Sequence, residues 1–117
     1  MSAVTTKKRF VRGSASASRI EDVAHEILAE LDDPASEASS AAQRAGLPRA
    51  DLVDARAEVT EAEHGADPFL TPIIVGIAVS AGSKVAESLW EDVLWPRIRR
   101  RLGADAIGKP ADPAEKT

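Results

Sequence analysis

With 117 residues and a net charge of −4 at pH 7, the chain has room for one small domain with a modest core. It contains no cysteine, which excludes a disulfide framework, a thiolate nucleophile and a cysteine-based zinc site, and makes the cytoplasm the default location. Hydrophobic residues make up 44% but aromatics only 3%, so Ile, Leu and Val must form the core around Phe10, Phe69, Trp90 and Trp95, and a partner surface or self-association is expected to complete it.

The charges are segregated. Lys7, Lys8, Arg9, Arg12 and Arg19 precede the first acid, acids dominate from Glu21 to Asp67 against Arg44, Arg49 and Arg56, and cations return at Arg97, Arg99, Arg100 and Arg101. This predicts complementarity between neighbouring elements, with steering of a partner as the second reading. No apolar stretch follows the Lys7-Lys8-Arg9 cluster, so it does not read as a secretory signal. The bias to Ala, Arg and Asp over Lys and Asn suggests a GC-rich bacterial genome.

Residues 1–3 are expected to be flexible. Val4 to Val11 alternates, with Val4, Thr6, Lys8 and Phe10 on one side and Thr5, Lys7, Arg9 and Val11 on the other, which predicts a strand. Gly13 and the Ser/Ala tract after it read as a loop. Ser18 with Glu21 forms a capping-box pattern opening a helix whose apolar face is Ile20, Val23, Ala24, Ile27, Leu28 and Leu31. Pro34 ends it, and His25 falls on its polar face with no assigned role.

Asp33 and Pro34 then suit the start of a shorter helix that stops at Gly46. Ala41, Ala42, Ala45, Gly46, Leu47, Leu52 and Ala55 have the spacing of a helix-turn-helix, but Asp51, Asp54, Glu58, Glu61 and Glu63 would repel phosphate, so nucleic acid is not the favoured partner. Residues 52–62 fit a strand with acidic outer positions beside the first strand's cations, or else a helix. A loop follows; its lone His64 does not make a metal site.

The stretch from Asp67 to Leu102 holds a charge-free apolar run, both tryptophans and the arginine cluster. A strand, glycine turn and Lys84 would suit a phosphate-binding loop, yet the Gly76, Gly82 and Lys84 spacing departs from the P-loop pattern. Thr71 and Pro72 suit a helix start. Read as a helix, Val75, Ala78, Val79, Gly82, Val85, Ala86, Leu89, Trp90 and Val93 share one face, while Ile73 and Ile77 lie opposite, giving two turns that are apolar all round. The run ends at Ser83, short of the roughly 20 residues of a membrane span. Pro96 is expected to kink or end the helix, presenting the arginines as a patch. Residues 103–117 read as a disordered tail.

These observations predict a small α+β domain over residues 1–102, ordered strand, helix, helix, strand, long helix, with a short antiparallel strand pair; a mostly helical domain is the alternative. The leading functional expectation is a non-catalytic adaptor or accessory subunit of a larger bacterial effector or regulatory system. It would dock a protein partner or a second copy through the 68–102 helix, by way of Ile73, Ile77, Val79, Leu89, Trp90, Trp95, Arg97, Arg99, Arg100 and Arg101. A membrane-perturbing protein with a sheltered helix, engaging an anionic membrane surface, is the second expectation, and a helix-turn-helix nucleic-acid binder the third. No catalytic group, cofactor or metal site is expected.

Overall fold

The first strand, β1 (Val4–Arg12), realises the alternation of its sequence, with Phe10 buried and Val11 exposed. A computed structural model describes residues 4–61 and 72–110. After β1, Ser14 and Ala15 donate backbone N–H bonds to Asp105 O and Ala106 O at 2.9 and 3.2 Å. Gly13 is required for that approach, because a Cβ there would overlap the carbonyl oxygens of Asp105 and Ala106.

Helix α1 (Ala17–Glu30) buries Ile20, Val23, Ala24 and Ile27 at the predicted spacing. It begins earlier than the sequence suggested, because Ser16 is the residue that accepts the Arg19 N–H, at 3.2 Å. Glu21 is thereby free of a capping role. Helix α2 (Glu37–Arg44) is capped by Ser36, whose Oγ accepts from Ser39 N at 3.1 Å, while Asp33 stabilises the preceding turn through Ala35 N–H. Gly46, at φ 76°, supplies the left-handed exit from this helix. The following helix, α3 (Arg49–Leu52), is four residues long. The rest of the expected recognition helix is the strand β2 (Arg56–Glu61), which removes the helix-turn-helix reading.

The main correction concerns Ile73–Val79, which is the strand β3 and not the opening of a long helix. Seven residues rich in β-branched side chains fit an extended backbone, and β3 is central, paired antiparallel with both β1 and β2. A central strand with cover on one face and partial cover on the other lacks a clean alternation, so its apolar run resembles a buried helix. The expected helix start at Thr71, the loop over 63–68 and Phe69 lie outside the described residues.

From Ser83 the helical reading holds. Helix α4 (Ser83–Ser88), a π-helical segment (Leu89–Leu94) and α5 (Trp95–Leu102) follow without a break. Ala86, Leu89, Trp90, Val93 and Leu94 are buried, with Lys84, Glu87 and Glu91 outside. Pro96 neither ends nor exposes this helix. Proline has no N–H and its ring would clash with the carbonyl of residue 92 in regular α geometry; the wide π turn, in which Trp95 N–H bonds Trp90 O, accommodates it. The expected tail also differs: Ile107–Pro110 forms β4, which pairs antiparallel with β1, and residues 111–117 lie outside the described residues.

The chain is thus an α+β domain with a four-stranded antiparallel sheet ordered β2-β3-β1-β4. The predicted strands β1 and β2 are both present but are separated by β3. Connectivity is that of the split β-α-β arrangement of ferredoxin-like folds, with α2 and α3 added to the first crossover. Ile73, Val75, Ile77 and Val79 of β3, Phe10 of β1, and Ala57 and Val59 of β2 join the buried faces of the helices in one core. Among the described residues no helix is long and apolar enough to cross a membrane. Truncating Ile98, fully buried in α5, to alanine should cost about 2–5 kcal/mol in urea unfolding. Val53→Ala, at a position 79% exposed, should change stability by less than about 0.5 kcal/mol.

Candidate interaction surface

The structure disperses the residues expected to bind a partner. Ile73, Ile77, Val79, Leu89 and Trp90 are all at most 3% exposed inside the chain's own core, so this fold does not offer them for docking. Trp95 is half-buried in an aromatic cluster, with ring centroids 5.9 Å from Phe10 and 5.6 Å from Trp90. At 100° per residue, positions five apart on an α-helix point about 140° away from each other. The π turn, bonded i to i+5, brings Trp90 and Trp95 to one side, where Phe10 fills the space between helix and sheet.

The arginines find their acids within the chain. Arg100 Nη1 donates to both carboxylate oxygens of Glu37, at 2.8 and 2.7 Å, and Arg101 pairs with Glu30 at 2.6 Å and Glu26 at 3.3 Å. Arg97 is buried, donating to Val93 O at 3.2 Å and reaching Glu37 O at 3.5 Å; its Nε has no partner among the described residues. Arg99 lies over the Trp95 ring at 5.4 Å. The patch is therefore chiefly a clamp between α5 and the acidic α1 and α2, as the first reading of the charge segregation anticipated. Hydrogen bonding and charge from Arg100 hold the Glu37 carboxyl below the usual carboxylate range. A depressed folded-state pKa gives stability that is present above the unfolded pKa and lost as pH falls through the folded one. The thermal midpoint of Glu37→Gln should accordingly lie below that of the wild type at pH 7. A pH series should show the gap closing below about pH 4.

The outer edge of β2 is closed by α1. Glu21 and His25, one turn apart, face two backbone groups of that edge. Glu21 Oε1 accepts the Val59 N–H at 2.8 Å, and the His25 Nε2–H donates to Ala57 O at 2.8 Å. These bonds substitute for a missing neighbouring strand, which otherwise invites pairing with another chain. In Glu21→Ala, the Val59 amide should exchange with deuterium about tenfold faster or more, read by residue-resolved exchange.

Among the described residues, what remains open is the sheet face opposite the helices. Its strand registers place three rows side by side: Thr60, Ile74 and Arg9; Glu58, Gly76 and Lys7; Arg56, Ala78 and Thr5. Ile74 and Ala78 are only half-buried, and Lys7, Arg56 and Glu58 are exposed. None of these charged residues, nor Arg9, forms an ion pair with a described residue. A groove of about 570 Å³ runs from Gly76 and Ala78 across Arg56 and Glu58 to Glu21 and His25. The sequence did place Thr5, Lys7 and Arg9 on one side of a strand. It gave no sign of their neighbours on β3, because that segment read as a helix.

Compared with protein-family models, with curated proteins and with solved structures, the chain matches none.

Proposed function

We propose that the protein is a non-catalytic interaction module, an adaptor or accessory subunit working in the cytoplasm, which docks through the helix-free face of its sheet. The observation that supports this reading is the asymmetry of the domain. Its helices lie on one side of the sheet, and the other face of β1, β2 and β3 carries charges with no ion-pair partner among the described residues, around a half-buried apolar centre at Ile74 and Ala78. Connectivity of this kind is compatible with many functions, so the argument rests on the surface and not on the fold. The absence of cysteine suits a reducing compartment.

The site differs from the one the sequence suggested, since the apolar run that resembled a docking helix lies in the core. The apolar run on which a sheltered membrane-active helix would depend is the strand β3. The test is amine labelling of the protein at its native level in extracts of the cells that make it. Lys7, on the open face, should be labelled at least about fivefold less than in the purified protein at high dilution, while Lys84, on the helical side, should be labelled equally in both. Equal labelling of Lys7 in the two samples would overturn the reading.

A further inference from the structure

We infer that the partner seated on this face is a second copy of the same chain, related by a twofold axis that lies in the interface, parallel to β3 and above Gly76. This rests on the docking reading above and adds the identity of the occupant. The inference comes from the order of side chains across the strands. In the central row, Glu58 on β2 and Lys7 on β1 flank Gly76. Rotation about an axis along β3 sets β1 of one copy over β2 of the other. Lys7 then faces Glu58 of the second copy, and Glu58 faces its Lys7, so each pair occurs twice, as an isologous interface requires.

The flanking rows agree. Arg9 meets Thr60 of the second copy, Arg56 meets Thr5, and Ile74 and Ala78 each meet their own equivalents. An axis across the strands would oppose Lys7 to Lys7 and Glu58 to Glu58, and like charges select against it. The centre also permits close approach, because at Gly76 even an added Cβ would meet nothing nearer than 3.8 Å. Antiparallel sheets pack face to face at about 10 Å with strand directions within about 30°. A relative rotation of that size about the sheet normal at Gly76 leaves the central row nearly in register, because that row lies at the pivot. A face three strands wide and seven residues long measures roughly 14 by 24 Å, which places this dimer among the small, exchanging interfaces.

Sedimentation equilibrium of the full chain at low salt tests the inference by charge reversal. The wild type should rise with concentration from 12.4 kDa towards twice that mass. Lys7→Glu and Glu58→Lys alone should each weaken association about tenfold or more, because each sets like charges opposite one another twice. The double variant should restore wild-type association. Unchanged urea midpoints in all three variants would show that the effect lies between copies and not in the fold of one. Wild-type protein that stays monomeric up to about 1 mM, or a double variant as weak as the singles, would overturn the inference. Monomeric protein whose Lys7 is nevertheless shielded in extracts would remove the second copy alone and leave the docking face to a different, acidic partner. A dimer whose Lys7 is labelled, at concentrations where the dimer is populated, as fully as in the dilute monomer would reject both.

Discussion

Burial of alternate side chains along β3 is the constraint on which the rest of the structure depends. Ile73, Val75, Ile77 and Val79 are all at most 3% exposed, and a one-residue slip against either neighbour would exchange them for Ile74, Gly76 and Ala78. The pairings on both flanks are thereby fixed together, since the residues that set the register with β1 also set it with β2. The helices follow from this choice. With only a few large residues available, the apolar stripe of α1, the alanines of α2 and the inner face of the C-terminal helix must converge on the same side of the sheet to make one core. Among the described residues the outcome is a sheet covered by helices on one face only.

The C-terminal helix shows how two demands of sequence are reconciled by one local distortion. Pro96 interrupts α-helical bonding, and Trp90 and Trp95, five positions apart, are both needed near Phe10. A π turn over Leu89–Leu94 answers both. It also sets the phase of α5. Ile98 points into the core, Arg100 reaches Glu37 of α2, and Arg101 reaches Glu26 and Glu30 of α1. Most of these pairs are exposed, so their contribution lies more in orienting the helix layer than in net stability. Arg97 is the exception, a cation held almost entirely inside, and its bond to Val93 O ties it to the π turn.

Much of the helical layer was legible from sequence because its signals are local. The apolar face of α1, the stop at Gly46 and the one-sided pattern after Ser83 all appear as spacings within a single element. The caps were misplaced by a few residues because serine is abundant, and Ser16 and Ser36 compete with Ser18 and Asp33 for the same N–H groups. The misreading of β3 has a different origin. A strand paired on both edges and partly covered on its second face carries no alternation to detect, and the Thr71-Pro72 dipeptide imitated a helix start. Once that segment is read as a helix, buried residues become a docking surface, and the true open face, formed only when three strands align, cannot be seen. The interchain question was thus hidden by a topological fact and not by any single residue. The charge segregation, in contrast, pointed to internal pairing, and Arg100 and Arg101 with Glu37, Glu26 and Glu30 realise it.

The edges of the sheet explain why the proposed docking is assigned to its face. A partner adding a strand to β2 would have to displace the Glu21 and His25 bonds to Val59 and Ala57, leaving a carboxylate and an imidazole to be resolvated or paired anew. At the other edge β4 is four residues long and ends in Pro110, which has no N–H to offer. Each edge is therefore poor in the backbone groups that strand addition uses. Face-to-face contact needs none of them. It draws on side chains whose order across β2, β3 and β1 is set by the same register that builds the core. The burial of Val75 and Ile77 on one side of the sheet thus fixes the placement of Lys7, Gly76 and Glu58 on the other.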